Sequence, residues 1–159
     1  TDHGLTTADE QAASQTAIEF VETIWAWDST DTSDRAGLER ALPLATPELA
    51  AQLQPYLDTP VFTPEEWATL AGQSSVGSLI EVIAAFPIED GVYDANTYTV
   101  RLVYNTYIRD TGGAPLPRAE DARYATLVLT RSASGSWLVS ALPYQEAEQI
   151  IELSPSALP

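Results

Sequence analysis

The residues best suited to chemistry in this chain of 159 residues are a few carboxylates and phenols near its predicted strands. Glu81 and Asp94 are the acidic residues within or nearest to strand-like stretches, and Tyr98, Tyr104 and Tyr124 are the phenols. An interior carboxylate beside a tyrosine hydroxyl can move protons as an acid–base pair, as in some isomerases. Tyrosines at alternate strand positions more commonly pack at the edge of a core, so the pattern favours packing over catalysis.

Other patterns associated with catalysis or metal binding are incomplete. Asp28, Asp31 and Asp34 are spaced by three, whereas a calcium loop alternates by two and needs a glycine. Capping of a helix explains these aspartates better. Residues 72–77 miss the nucleophile elbow, because Val76 stands where the second glycine is required. We therefore expect no cofactor and no metal.

Composition restricts the function further. Cysteine is absent and the one histidine, His3, lies in a polar terminal stretch, so neither a thiolate site nor a histidine-based acid–base pair is expected in the interior. The 23 acidic residues outnumber seven basic ones, giving a net charge of −16. This charge argues against direct contact with nucleic acid or anionic lipid. Arg101 and Arg109 are expected to pair with acidic neighbours.

The elements that would hold these residues are organised around one long strand, residues 97–109. Its residues alternate between two sides, the period of two that a half-buried strand requires. One side carries Tyr98, Val100, Leu102, Tyr104 and Ile108. The other side carries Thr97, Thr99, Arg101, Asn105 and Arg109. Because this strand is about twice the usual length, it must curve or be covered by helices along its run.

A long amphipathic helix is predicted over residues 8–27. Apolar residues recur there every three or four positions and form one stripe: Ala13, Ala17, Phe20, Ile24 and Trp27. Thr6 or Thr7 can cap the helix. Ile18 and Trp25 lie on the flank of the stripe, where they would meet the edge of the core or a partner.

Three shorter helices are predicted to follow. Asp34 can cap the first of them and Pro43 stops it. The second begins with Thr46 as its cap and ends near Pro55. The third begins at Thr63 with a capping box, in which a glutamate three residues later bonds back to the cap.

The second half of the chain is predicted to form a meander of antiparallel strands. Besides the central strand, the predicted strands are 76–86, 124–131 and 137–142, with a glycine- and proline-containing loop at 112–117. The expected fold is α+β: a long N-terminal helix and short helices packed in a curved antiparallel sheet of about four strands. We expect a polar lead at 1–12, a single domain at 13–143, and an acidic, proline-containing tail at 144–159.

This order of elements resembles the nuclear transport factor 2-like fold, a cone of curved sheet around a long helix. The likeness covers roughly residues 13–143. More narrowly, residues 17–53 (AIEFVETIWAWDSTDTSDRAGLERALPLATPELAAQL) resemble extracytoplasmic domains of Gram-positive membrane proteins. These include TcpC-type conjugal transfer proteins, related to the VirB-type scaffold subunit of type IV secretion channels, and Mce-associated proteins. The resemblance implies binding of partner proteins and no active site.

Two functions follow as expectations. The first is a non-catalytic scaffold of a conjugation or type IV secretion complex, which binds copies of itself and channel subunits at the extracytoplasmic face of a bacterial membrane. Its membrane anchor would lie outside this sequence, and its interface candidates are Ile18, Trp25, Val103 and Tyr107. The alternative is a small-molecule-binding or isomerase- or dehydratase-type domain that uses the cone interior, or a Mce-associated transport accessory protein.

Overall fold

Helices occupy the first half of the chain and strands the second. The structure, a computed structural model, describes residues 5–24, 26, 31, 33–74, 77–109, 115–117 and 123–142. The helices are α1 (Thr7–Ile24), α2 (Ala36–Ala41), α3 (Pro47–Leu57) and α4 (Pro64–Ser74), with a 3-10 turn at Leu42–Leu44. The strands are β1 (Gly77–Phe86), β2 (Thr97–Arg109), β3 (Pro115–Pro117), β4 (Arg123–Arg131) and β5 (Trp137–Ala141). The predicted α+β class is confirmed.

β2 is the centre of the sheet, with the bounds predicted for it. The order of the long strands is β1-β2-β4-β5, and every pairing between them is antiparallel. The loop prediction for Pro115–Pro117 was wrong, because this segment pairs with the end of β2 as the short strand β3. A strand containing two prolines is tolerated at such a position because it borders the sheet rather than lying inside it.

The two faces of β2 are distinct, as its alternation predicts. The side chains of Tyr98, Val100, Leu102 and Tyr104 are buried and define the inner face of the sheet. α1 contacts β1, β2, β4 and β5. Its buried residues are Ala13, Ala17, Phe20, Val21 and Ile24, which confirms the predicted stripe as far as Ile24. Trp25 and Trp27 lie outside the described residues.

Threonine caps fix the start of three helices. Thr6 Oγ1 accepts from the Asp9 N–H at 3.1 Å, and Asp9 Oδ2 accepts from the Thr6 N–H at 3.3 Å. Thr46 caps α3 by accepting from the Leu49 N–H at 3.2 Å. The capping box predicted at Thr63 is present, with reciprocal bonds to Glu66 of 3.0 and 3.1 Å. Because α1 begins at Thr7, the expected boundary between residues 12 and 13 falls inside it.

Two details of the short helices differ from expectation. α3 continues through Pro55 to Leu57. A proline this close to the end of a helix removes only one N–H donor, so the final turn persists. Asp34 does not cap α2, whose first flanking residue is Arg35 with no side-chain cap. The buried Asp34 carboxylate instead accepts from the Val61 N–H at 3.0 Å and thereby holds the loop before α4.

The first turn of α2 packs against the carboxyl end of α1. A Cβ atom at Gly37 would lie 2.6 Å from the Ile24 carbonyl oxygen and 2.7 Å from that of Ala26, so only glycine fits without displacement. Arg40 donates to the Ala26 carbonyl at 3.1 Å and to the Asp31 carboxylate at 2.7 Å. Trp67 of α4 donates its indole N–H to the Asp31 carbonyl at 2.7 Å. Asp31 therefore connects α2 with α4.

A transmembrane segment is not found among the helices of the described residues, none of which combines sufficient length with sufficient apolar character.

Candidate functional site

The carboxylates and phenols singled out from the sequence are not brought together. Tyr98 and Tyr104 point inward from β2 and are buried. Glu81 is exposed on β1, in register with Asn105 on the opposite face of the sheet. Asp94 is exposed in the connection between β1 and β2. Neither carboxylate shares the inner face with the two buried phenols.

Asp94 has a local structural role at the start of β2. Its Oδ1 accepts from the Asn96 N–H at 2.8 Å, and its backbone N–H donates to the Thr97 carbonyl at 3.0 Å. Side-chain bonds of this kind to a residue two positions on are characteristic of aspartate in turns. The aspartate therefore closes the turn that leads into the central strand.

Tyr124 lies on the outer face of the sheet, opposite to Tyr98 and Tyr104. It pairs with Val103 of β2, and 57% of its surface is exposed. Because inward and outward positions alternate along β2, a residue opposite Val103 must point outward. The three predicted pocket tyrosines are thus divided between the two faces.

An open groove of about 550 Å³ lies beside α1, at the inner face of the sheet. Its lining includes Glu10, Ser14, Gln15, Ile18, Ala85 and Tyr98. Burial raises the pKa of Tyr98, and the negative charge of Glu10 adds to that rise. A hydrogen bond with Ser14 acts in the opposite direction. The groove contains one predicted pocket residue, Tyr98, and one predicted interface residue, Ile18, which packs partly against the core.

Tyr93 fixes the loop between β1 and β2. Its ring meets Tyr98 edge-on, with the ring centroids 5.6 Å apart. Its hydroxyl donates to the Ile88 carbonyl at 2.6 Å and accepts from the Ile88 N–H at 2.7 Å. Burial raises the pKa of Tyr93 as well. The Tyr93 hydroxyl therefore holds the loop in place through its two hydrogen bonds with the Ile88 backbone.

Arg131 connects the end of β4 with the first turn of α1 through an ion pair with Asp9. Its Nη2 lies 2.9 Å from the Asp9 carboxylate and donates to the Ala95 carbonyl at 3.1 Å. Its guanidinium carbon also lies 4.9 Å from the centroid of the Trp137 ring, a cation–π geometry. The hydrogen bond from Arg131 is the main cause that lowers the pKa of Asp9.

Two arginines of β2, Arg101 and Arg109, were predicted to pair with acidic neighbours. Arg101, expected to pair with an acidic neighbour, donates its Nε–H to Thr126 Oγ1 at 3.0 Å. The side chain of Arg109 lies outside the described residues.

Large apolar side chains are exposed on the outer face and at the adjoining strand β1. Tyr124 is accompanied by Phe86, which is 40% exposed, and by Ile83, which is 52% exposed. Val103, half-buried, lies between Ala84 and Tyr124 in the ladder. We call Ile83, Phe86, Val103 and Tyr124 the outer-face patch. Of these four residues, only Val103 was predicted from the sequence to lie at an interface.

A β-bulge contributes to this patch. The register of β1 against β2 shifts between Val82 and Ala84, so Ile83 is an extra residue without a partner in the ladder. Glu22 of α1 accepts from the Val82 N–H at 3.0 Å, which holds β1 at the bulge. Bulges re-aim side chains, and this one coincides with an exposed isoleucine.

The other two interface candidates are Trp25 and Tyr107. Trp25 lies outside the described residues. Tyr107 pairs with Leu79 and Pro117 through its backbone, and its side chain lies outside the described part of the structure.

The aspartates considered for calcium have other partners. Asp31 pairs with Arg40, and Asp34 accepts from backbone N–H groups, while Asp28 lies outside the described residues. In the part of the chain that the structure describes, no group of three or more histidine, cysteine, aspartate or glutamate side chains is arranged to hold a metal ion.

Comparisons of the chain with protein-family models, with curated proteins and with solved structures found no match.

Proposed function

We propose that this protein is a non-catalytic scaffold domain that binds other proteins, including copies of itself. The observation that supports this function is the outer-face patch, whose two aromatic and two aliphatic residues lie on the three neighbouring strands β1, β2 and β4. Contiguous exposed apolar residues mark interaction surfaces in soluble proteins, and aromatic residues are enriched at their centres.

The positions of the carboxylates also support a binding role. An acid–base pair needs a carboxylate within hydrogen-bond reach of the group it assists. Glu81 and Asp94 are solvent-exposed, whereas Tyr98 and Tyr104 are buried on the inner face. We therefore rank the alternative, a small-molecule-binding or isomerase-type domain that uses the interior, second.

The proposed setting is a bacterial conjugation or type IV secretion complex at the extracytoplasmic face of the membrane. Its support is the resemblance of residues 17–53 to such domains. The nuclear transport factor 2-like cone belongs to the same proposal, and the packing of α1 on the inner face of four antiparallel strands supports it. A Mce-associated transport accessory role is the alternative setting.

Sedimentation velocity over a range of protein concentrations tests self-association through the outer-face patch. We expect the wild-type protein to associate, and Tyr124→Ser to weaken the association about tenfold, because an aromatic side chain at the centre of an interface contributes on the order of 1–2 kcal/mol. Tyr56→Ser is the matched control, since Tyr56 is also exposed, but on α3. A wild-type protein that stays monomeric at every concentration, and that retains no protein from a lysate of its own cells, would contradict the proposed function.

A further inference from the structure

We propose a second binding site, the groove between α1 and the inner face of the sheet, and assign it to an extended, arginine- or lysine-rich segment of a partner protein. This inference rests on the proposed function, because it presumes that the domain binds proteins. It concerns a different surface from the outer-face patch. It also specifies the chemistry of the partner.

The shape of the groove suits an extended chain. Its α1 side runs from Thr7 to Ile18 along positions three and four apart, which share one face of the helix. At 1.5 Å per residue this face is about 16 Å long. An extended segment advances about 3.3 Å per residue, so about five residues fit along it. The groove is open to solvent, as entry of a chain segment requires.

The lining of the groove suits a long cationic side chain. Ile18 and Ala85 provide apolar surface, and Glu10 provides a carboxylate near Tyr98. Arginine and lysine lay their methylene stems on apolar surface while the charged end reaches a polar group. The groove therefore offers apolar surface to the methylene stem of an arginine or lysine and the Glu10 carboxylate to its charged end.

Charge selects a basic partner over the other possible occupants. α1 carries four carboxylates, at Asp9, Glu10, Glu19 and Glu22, and neither α1 nor β1 contains a lysine or arginine. Asp9 is bonded to Arg131 and Glu22 to a backbone N–H of β1, which leaves Glu10 as the carboxylate that lines the groove. A negative surface attracts a cationic segment and repels an anionic one.

The chain itself is a poor occupant for the same reason. A second copy would bring a net charge of −16 to a negative groove. The last part of this chain, residues 143–159, contains three glutamates and no lysine or arginine. A basic segment of a different protein is left as the occupant that the charges favour.

The test is fluorescence anisotropy with the full chain and two labelled, capped hexapeptides, one alternating arginine with valine and the other alternating glutamate with valine. We expect the arginine peptide to bind and the glutamate peptide not to bind. Gln15→Arg places a positive charge in the groove at an exposed helical position, and Glu10→Gln removes a negative one. Each change should weaken binding about fivefold, the effect of one partly exposed charge pair.

The controls are the same substitutions outside the groove. Gln52→Arg and Glu48→Gln change exposed residues of α3 and alter the net charge identically. If Gln52→Arg weakens binding as much as Gln15→Arg, the attraction belongs to the acidic protein as a whole and the groove assignment is overturned. Absence of binding to the wild type overturns it as well. Loss of association in Tyr124→Ser, with peptide binding unchanged, would show that the outer-face patch and the groove act separately. Failure of the peptide to bind would leave the patch untouched.

Discussion

Replacement of Gly37 by alanine should destabilise the protein, although alanine is the better helix former. The added Cβ would lie 2.6, 2.7 and 2.8 Å from the carbonyl oxygens of Ile24, Ala26 and Thr23. These are backbone atoms, so they cannot rotate away as the end of a side chain can. Because ordinary contact begins near 3.4 Å, α2 would have to move by about 0.8 Å relative to the nearest oxygen at 2.6 Å.

Overpacking and helix propensity change the free energy of unfolding of Gly37→Ala in opposite directions, so the sign of the measured change shows which of them is larger. Overpacking of this kind costs about 1–3 kcal/mol, whereas the higher helix propensity of alanine returns at most about 1 kcal/mol. We expect a net loss of about 1–2 kcal/mol in the free energy of unfolding. Urea unfolding followed by far-UV circular dichroism would show it as a lower midpoint with an unchanged slope.

A calibration within the same protein makes the result interpretable. Ala51→Gly, at an exposed position inside α3, measures the propensity difference alone and should cost about 1 kcal/mol. If Gly37→Ala raises the unfolding free energy by a comparable amount, the close packing of α2 on the end of α1 is refuted.

Two further predictions concern pH. The pairing of Asp9 with Arg131 lowers the pKa of Asp9 in the folded state. The pair therefore stabilises the fold fully above the ordinary carboxyl pKa, near pH 4, and this stabilisation disappears as the pH falls through the lowered pKa. Urea unfolding should therefore find the wild type more stable than Asp9→Asn at pH 7 and the difference smaller at pH 3, and a constant difference would contradict this. The pKa of Tyr98 is raised, so the folded state holds its proton longer than the unfolded state, and stability should fall as pH rises above about 10. The Tyr98→Phe variant should show a smaller fall in stability above about pH 10. An absorbance titration at about 295 nm in which Tyr98 ionises together with the exposed tyrosines would contradict the raised pKa.

Patterns confined to neighbouring residues were predictable from the sequence. The alternation along β2 gave its bounds and its buried face, and the stripe of α1 was correct as far as Ile24. The threonine caps at Thr46 and Thr63 were also recognised, since a cap involves residues only three positions apart. Each of these features depends on local periodicity or on one short hydrogen bond.

Features that depend on distant partners were missed. Asp34 bonds to the backbone of Val61, 27 residues away, so its sequence neighbours suggested a cap instead. The face of Tyr124 follows from its register with Val103, which alternation within β4 alone cannot fix. In β1 a continuous apolar run hides the bulge at Ile83, because a period of two is not visible where most residues are apolar. The outer-face patch is built from these register effects and was therefore only partly anticipated.

Photo-crosslinking from the outer-face patch tests the proposed function most directly. A benzophenone amino acid would replace Tyr124 in the protein expressed in its own cells, with the same replacement at the exposed Tyr56 of α3 as the control. We predict discrete protein adducts from position 124, including a dimer of this chain, and none from position 56. Adducts from neither position, or the same adducts from both, would contradict the conclusion that this face of the sheet is an interaction surface.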